Sequence, residues 1–199
     1  MDEQNCSDEI LVRSVRQGNR EAFDALVRRY QVRAVSLAQS ILQNHELAID
    51  ASQNAFAKAY FALKHFREDA QFKTWFLRIL MNEAKDVLRK EKVRGLFRFV
   101  NERDEGGEKS ESILELIPSP NRSPKEELEA QETKDRLEQA IGKLPEMERA
   151  VFVLRYLQDT QLAEIAQVLG IAVGTVKAHL SHGSEKLKTM LQRETDSVK

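Results

Sequence analysis

Residues 163–187 read AEIAQVLGIAVGTVKAHLSHGSEKL, and they decide the fold of the second half of the chain. Apolar residues recur at helical spacing on both sides of Gly170, which occupies the place of a helix-ending residue at positive φ. This pattern is typical of a helix-turn-helix, whose second helix offers its N-terminal residues to the major groove of DNA. The predicted buried residues are Ala163, Ile165, Ala166 and Leu169 on the first helix and Val173, Val176, Leu180 and Leu187 on the second.

The other face of the second helix carries the candidate DNA contacts. Thr175 lies at the start of the helix, where it can bind a phosphate with help from the helix N-terminus. Two packed helices with no role in DNA binding would show the same pattern. His179 and His182 are three residues apart and could be considered as metal ligands, but no third ligand lies nearby in the sequence. The remaining candidates are Lys177, Ala178, His179, Ser181, His182 and Lys186.

Composition limits the class of protein. Hydrophobic residues make up 41% of the 199 residues and charged residues 32%, and good helix formers dominate. No apolar run is long enough for a membrane span, so no membrane insertion is expected. The polar N-terminus argues against a signal peptide, and the single cysteine, Cys6, argues for a reducing cytoplasm. No nucleophile–base pair, metal cluster or phosphate-binding loop is apparent, so neither enzymatic activity nor a cofactor is expected.

Charge is unevenly distributed along the chain. Residues 1–99 hold 17 Lys and Arg against 13 Asp and Glu, whereas residues 100–140 hold 6 against 12. Residues 141–199 are almost balanced, with 8 against 7. A basic block, an acidic connector and a nearly neutral end indicate separate roles for the three parts.

The predicted fold is all-α, with two small helical domains joined by a flexible acidic linker. In the first domain, residues 1–94, helical periodicity predicts a short helix ending at Gly18 and three long ones. The linker, residues 95–123, contains ERDEGGEKSES and PSPNRSP, which oppose regular structure. The second domain, residues 124–199, is predicted as a four-helix unit ending in the helix-turn-helix. The long helices of the first domain are expected near residues 21–41, 47–63 and 70–88, with Ile49, Phe56, Tyr60 and Leu63 buried on the second and Phe72, Trp75, Phe76, Ile79, Leu80, Val87 and Leu88 on the third.

Two further surfaces are candidates for binding. Arg78, Asn82, Lys85 and Arg89 share one face of the third long helix, beside aromatic residues that suit unpaired nucleic acid. A loop from Phe66 to Gln71 at the start of that helix could hold a base taken out of the stack. The alternative is that the basic residues form an ordinary solvated helix face and that the aromatic residues belong to the core, because both would show the same spacing in the sequence. On the second long helix, a polar stripe that could receive a protein partner consists of Asp50, Gln53, Asn54 and Ala57.

Four segments in this order resemble the extracytoplasmic-function (ECF) subfamily of bacterial RNA polymerase sigma factors, and the likeness spans nearly the whole chain. GNREAFDALVRRY (18–30) is similar to the opening helix of that family, and IDASQNAFAKAYFAL (49–63) to its core-binding segment. FREDAQFKTWFLRILMNEAKDVLRK (66–90) resembles its −10 element segment. LPEMERAVFVLRYLQDTQLAEIAQVLGIAVGTVKAHLSHGSEKL (144–187) resembles its −35 element domain.

The resemblance implies a protein that binds core RNA polymerase, directs it to promoters and helps to melt the −10 region. The polar stripe on the second long helix would bind the β′ clamp helices, with the second domain at the β flap and the linker in the RNA channel. The implied −35 contacts are Thr175, Lys177, Ala178, His179, Ser181, His182 and Lys186. The implied −10 contacts are Phe66, Arg67, Lys73, Trp75, Arg78, Asn82, Lys85 and Arg89.

The resemblance also implies a cytoplasmic protein controlled by an anti-sigma factor, which could hold it at the inner membrane. One alternative is a free-standing regulator, because GTVKAHLS (174–181) also resembles the recognition helix of LuxR-type activators. An all-helical, basic first domain argues against the sensing domain that such a regulator would carry. A helical adaptor that binds only protein is the third possibility.

Overall fold

The computed structural model describes residues 6–66, 71–98, 133 and 136–197, with the side chains of 95–98 and 193–197 left aside. The chain divides into two compact units, the first built on residues 1–109 and the second on most of residues 110–199. No strand occurs in the described residues, in agreement with the predicted all-α fold. The helices are α1 (Asp8–Arg16), α2 (Arg20–Leu42), α3 (His45–Ala62), α4 (Phe72–Arg98), α5 (Glu146–Tyr156), α6 (Leu162–Leu169) and α7 (Val173–Ser197), with a 3₁₀ turn at Leu63–His65 and a helical segment at residues 136–142.

Polar contacts hold α1 against α2. The Asp8 carboxylate accepts a hydrogen bond from Arg29 Nη1 at 2.5 Å and a second from the Tyr30 hydroxyl. Burial, reinforced by the hydrogen bond to Asp8, raises the pKa of Tyr30 well above its usual range, so the hydroxyl stays a donor. Leu11 and Val12 of α1 are buried, so α1 also contributes apolar side chains to the core of the unit.

Small side chains let α3 approach its neighbours closely. Ala48, Ala51, Ala55 and Ala59 are fully buried, and α3 packs against both α2 and α4. The distance between packed helices depends on the side chains at the contact, so an alanine face draws the three axes together. The predicted buried face was partly wrong: Ile49 and Tyr60 lie at its edges and are half-buried, whereas Phe56 and Leu63 are buried as predicted.

An aromatic cluster fills the space between α2, α3 and α4. The Phe76 ring lies 4.5 Å from that of Phe56 and 6.0 Å from that of Phe72, measured between ring centroids. Tyr30 of α2 contacts the same two α4 rings, at 5.6 Å from Phe72 and 5.9 Å from Phe76. Offset and tilted ring pairs of this kind add to the free energy that burial alone provides. The first unit therefore has its own core.

On α4, the residues at the centre of the buried face agree with the prediction, but those at its edges do not. Phe72, Phe76 and Leu80 are buried as expected, but Trp75, Ile79, Val87 and Leu88 are only half-buried. Because α4 packs against α2 and α3 and also contacts α1, it buries a wider face. The buried positions that periodicity did not single out are Thr74, Leu77, Met81, Glu83 and Ala84. Glu83 forms an ion pair with Lys58 of α3. The helix also continues to Arg98, past the predicted domain boundary at residue 94.

In the second unit, α5 runs from Glu146 to Tyr156 as predicted, and α7 packs against it. Ile165, Ala166 and Leu169 on α6 and Val176 and Leu187 on α7 are buried, as periodicity indicated. The predictions for Ala163, Val173 and Leu180 were wrong, because the first two are exposed and the third is half-buried. Val168 and Gly183 are buried instead. A Cβ added at Gly183 would lie 3.5 Å from Glu148 Cβ, an ordinary van der Waals distance, so α7 and α5 approach closely at this point.

Candidate nucleic-acid interface

The outward face of α3 is a polar strip opposite its buried alanines. Asp50, Gln53, Asn54 and Ala57, together called the docking stripe below, are all exposed. Asn44 caps the helix before its first residue, His45, because its Oδ1 accepts a hydrogen bond from the Leu47 amide at 2.9 Å; the stripe begins one turn later, at Asp50. The close packing of the opposite face fixes the orientation of the helix that carries these four residues. Such a face can form a protein contact without refolding.

The outward face of α4 carries most of the predicted basic residues. Arg78, Asn82 and Arg89 are exposed, and Lys85 is half-buried on the same side; these four form the basic stripe. Arg89 Nη2 donates to Asp86 one turn earlier, an exposed ion pair that is weak and easily exchanged for a phosphate. The stripe therefore offers separate cationic and amide groups along roughly 16 Å of helix, at about 1.5 Å per residue.

The aromatic residues at the start of α4 divide into buried and accessible ones. Phe66 is only 7% exposed, and its ring centroid lies 4.8 Å from that of Trp75 and 6.5 Å from that of Phe72. Trp75 and Lys73 are half-buried, so each keeps part of its side chain at the surface. Arg67, with the rest of the predicted base-capturing loop at 67–70, lies outside the described residues. Of this set, Phe66 lies beneath Trp75 rather than at the surface.

The helix-turn-helix of the second unit has the predicted turn. Gly170 adopts φ of 69°, and the Ile171 amide donates to the carbonyl of Ala166 at 3.1 Å, which closes α6 before α7 begins. At the start of α7, Val176 is buried, so the helix is fixed on one side while the other side faces outward. The predicted contact residues on that outward side are Thr175, Lys177, Ala178, Ser181 and His182, which are exposed, and His179, which is half-buried.

Lys186 differs from the other predicted contacts on α7. Its Nζ donates to Oε1 of Glu148 at 2.7 Å, across the packing of α7 on α5. The Glu148 side chain is only 9% exposed, whereas that of Lys186 is 45% exposed. Glu148 Oε2 is buried without a hydrogen-bond partner. Lys186 therefore compensates the charge of a carboxylate that is buried inside the unit. The sequence pattern did not indicate that Glu148 is buried, because charged residues are normally exposed to solvent.

Arg149, next to Glu148, ties α5 to the preceding helical segment. Its Nη1 donates to the carbonyl of Gly142 at 2.7 Å, which satisfies a carbonyl at the end of residues 136–142. Burial lowers the pKa of Arg149, and the nearby Glu146 opposes that shift. An arginine remains charged even so. At the start of α5, Glu148 thus contacts α7 and Arg149 contacts the preceding helical segment.

The described part of the chain holds no group of three or more His, Cys, Asp or Glu side chains placed to bind a metal ion. Within the same residues, no helix has both the length and the apolar character needed to cross a membrane.

Comparison with known proteins identifies relatives over more than nine-tenths of the chain. The family models for Sigma-70 region 2 and Sigma-70, region 4 match residues 26–94 and 134–187. The chain is 30% identical to the ECF RNA polymerase sigma factor SigW of Bacillus subtilis, over 91% of this chain and 95% of that one. It is 34% identical to the RNA polymerase sigma-H factor of Pseudomonas aeruginosa, over 93% and 94%. It is 32% identical to the ECF sigma-E factor of Escherichia coli, over 95% and 96%.

Solved structures give the same picture. CnrH, determined in complex with the cytosolic domain of CnrY, matches with a TM-score of 0.67 at 26% identity, over 94% of this chain and 99% of that chain. The sigma factor RpoE of Bartonella quintana, determined with the anti-sigma factor NepR, matches with a TM-score of 0.65 at 20% identity, over 85% and 96%. The second likeness concerns the fold alone.

Proposed function

Because this chain belongs to the ECF sigma factors of RNA polymerase, which act in promoter-directed initiation of transcription, we propose a specific role for each of its three exposed surfaces. One observation supports the assignment. On α3, α4 and α7, one face packs into a core, and most of the predicted contact residues lie on the opposite, exposed face. The polymerase supplies the catalysis, so this chain needs binding surfaces and no catalytic residue of its own.

The docking stripe binds core RNA polymerase at the β′ clamp helices. Asp50, Gln53 and Asn54 offer a carboxylate and two amides on a helix that the alanine packing holds rigid. A helix that is already rigid loses little backbone conformational entropy when it binds. The second unit is expected at the β flap.

The basic stripe and Trp75 bind the −10 element. Arg78, Lys85 and Arg89 neutralise phosphates, Asn82 can hydrogen-bond to a base edge, and the accessible part of Trp75 provides a surface for stacking. Lys73 and Arg67 belong to the same contact set. Phe66 supports Trp75 from below, because the two rings are in contact and Phe66 itself is buried.

The exposed face of α7 binds the −35 element. Thr175 lies in the first turn, where helix amides favour a phosphate, and Lys177, Ala178, His179, Ser181 and His182 follow toward the base edges. Lys186 holds α7 in place through Glu148 and is not itself a contact in this proposal. A helix with one lysine among these residues gains little from phosphates, so promoter affinity depends on the polymerase and the first unit as well.

We further propose that the protein acts in the cytoplasm, without enzymatic activity, and that an anti-sigma factor controls it by covering the same surfaces. CnrH, 26% identical to this chain, was determined in complex with the cytosolic domain of CnrY, which supports control by a protein partner. The anti-sigma factor would compete with core polymerase for the docking stripe.

In vitro transcription tests the whole proposal. Core polymerase should initiate at specific promoters from a template library only when this protein is added. If no promoter-specific product forms on any template, the proposed function fails.

Variants separate the surfaces. Asn82→Ala and Arg89→Ala should reduce promoter opening, measured by permanganate reactivity of the −10 region, while core binding stays unchanged. Arg20→Ala removes the same charge at the exposed start of α2 and serves as the matched control. Loss of core binding in the Asn82 or Arg89 variants would contradict their assignment.

The −35 contacts have their own control on the same helix. Lys177→Ala should reduce initiation at promoters that depend on a −35 element, by about 1–3 kcal/mol of binding free energy if it contacts a base. Lys188→Ala removes an exposed lysine about three turns farther along the same face and should have little effect. Equal losses for both variants would indicate a general charge effect.

A further inference from the structure

Phe61, near the end of α3, is 72% exposed, the largest fraction for any large apolar side chain in the described residues. Scattered exposed apolar residues are common, so exposure by itself decides nothing. The position of Phe61 on the helix is more informative. At about 100° per residue, its direction falls within roughly 40° of Asp50, Asn54 and Ala57. Phe61 therefore continues the docking stripe toward the C-terminal end of α3.

The ring of Phe61 is also held in place. Its centroid lies 5.7 Å from that of Tyr60, with the two planes at 73°. Tyr60 in turn packs its ring at 5.0 Å against Phe23 of α2, also edge to face. This row of three rings supports the exposed side chain from the core of the unit. A supported aromatic ring loses little rotamer freedom on binding, which favours a role as an anchor.

We propose that Phe61 is the apolar anchor of the docking stripe and enters an apolar pocket on core RNA polymerase. This inference rests on the proposed function of the stripe. Buried aromatic residues surrounded by polar contacts carry much of the free energy in protein interfaces. Toward the other end of the same face lie Glu46 and Asp50, both exposed, so the partner surface should place basic groups there.

Core polymerase is a better occupant than a second copy of this chain, because Phe61 is continuous with the stripe already assigned to polymerase. Two copies of α3 packed in parallel would also bring the carboxylates of Glu46 and Asp50 together, and like charges oppose that arrangement. An antiparallel pair would keep them apart, and the sedimentation experiment below tests it.

Competition for core polymerase tests the inference. Unlabelled full-length variants displace fluorescently labelled wild-type protein, and far-UV circular dichroism checks that each variant folds. Phe61→Ala should need at least about tenfold more protein for half displacement, as removal of an interface anchor predicts. Phe61→Leu should lose less, because it retains apolar volume. Val32→Ala, at an apolar position of α2 that is 54% exposed, is the matched control and should compete as wild type does.

The outcomes separate the two levels of the proposal. If labelled wild-type protein does not bind core polymerase, the proposed function fails. If wild type binds and Phe61→Ala competes equally well, only the anchor inference fails. Sedimentation of the free protein gives a further check: self-association that Phe61→Ala abolishes, with unchanged affinity for polymerase, would assign Phe61 to a homodimer interface and overturn the inference.

Discussion

Replacement of Lys186 by methionine tests whether this residue holds α7 in place or binds DNA. The substitution removes the cation that Glu148 contacts at 2.7 Å and keeps most of the apolar stem of the side chain. Glu148 would then retain a buried negative charge with no ion-pair partner, since its Oε2 is already without a hydrogen bond. The second unit should be destabilised, because an uncompensated buried carboxylate costs more than the pair contributes.

The structure sets the expected magnitude. Removal of one partner from a fully buried ion pair costs about 3–5 kcal/mol, and fully exposed pairs contribute about 0–1 kcal/mol. Glu148 is buried and Lys186 is nearly half exposed, so an intermediate loss of about 2 kcal/mol is expected for Lys186→Met. Glu148→Gln should cost about 1 kcal/mol, because a neutral amide needs no counter-charge. The double variant should cost about 1.5 kcal/mol, which leaves a coupling free energy of about 1.5 kcal/mol.

Native-state hydrogen exchange of the full-length protein measures these values. Amides of α5 and α7 should exchange faster in Lys186→Met, while the fluorescence of Trp75, the only tryptophan, reports that the first unit is unchanged. Additive effects of the two substitutions would refute the coupling. The salt dependence of promoter binding supplies the second test: a drop in the slope by about 1 would show that Lys186 contacts a phosphate, contrary to our assignment.

Three further predictions concern stability, each measured by chemical denaturation. Gly170→Ala should lower the free energy of unfolding by about 1 kcal/mol, because φ of 69° strains a residue with a Cβ. Gly174→Ala, at an open position in the first turn of α7, should not lower it, and equal effects of the two substitutions would contradict the strain. Ala55→Leu should cost about 1–3 kcal/mol by overpacking the closely packed face of α3, and Ala57→Leu on the exposed face should be neutral; a neutral Ala55→Leu would mean that the helices can separate. Asn19→Ala should cost about 1 kcal/mol, because it removes the cap bond to Ala22 N at 3.3 Å; an unchanged midpoint would show that the cap is dispensable.

Local sequence patterns were sufficient to predict most of the helices and most of their exposed faces. The α5 boundaries, the positive φ of Gly170 and the exposure of the docking stripe all agree with the sequence, because helix caps, glycine turns and periodicity act over a few residues. The all-α fold and the family also follow from the sequence, since four segments in fixed order carry them.

The edges of the buried faces depended on packing between helices. Periodicity gives the direction of a face, but its width is set by how many neighbours a helix has. Helix α4 packs against α2 and α3 and also contacts α1, and so buries Glu83 and Ala84. Helix α3 buries alanines, which a hydrophobicity pattern underrates. Ile49 and Tyr60 are therefore left at the edge of the face that was assigned to them.

The sequence by itself determined that the chain is helical, where most of its helices lie, where the turn at Gly170 falls and which side of α3, α4 and α7 carries most of the exposed polar residues. The tertiary structure alone decided how individual side chains in those sets are used. Lys186 is paired with Glu148, 38 residues away in sequence, and Phe66 lies beneath Trp75. Both facts arise from contacts between separate elements. A periodic pattern describes one helix at a time and contains no information about the partner that another helix brings to it.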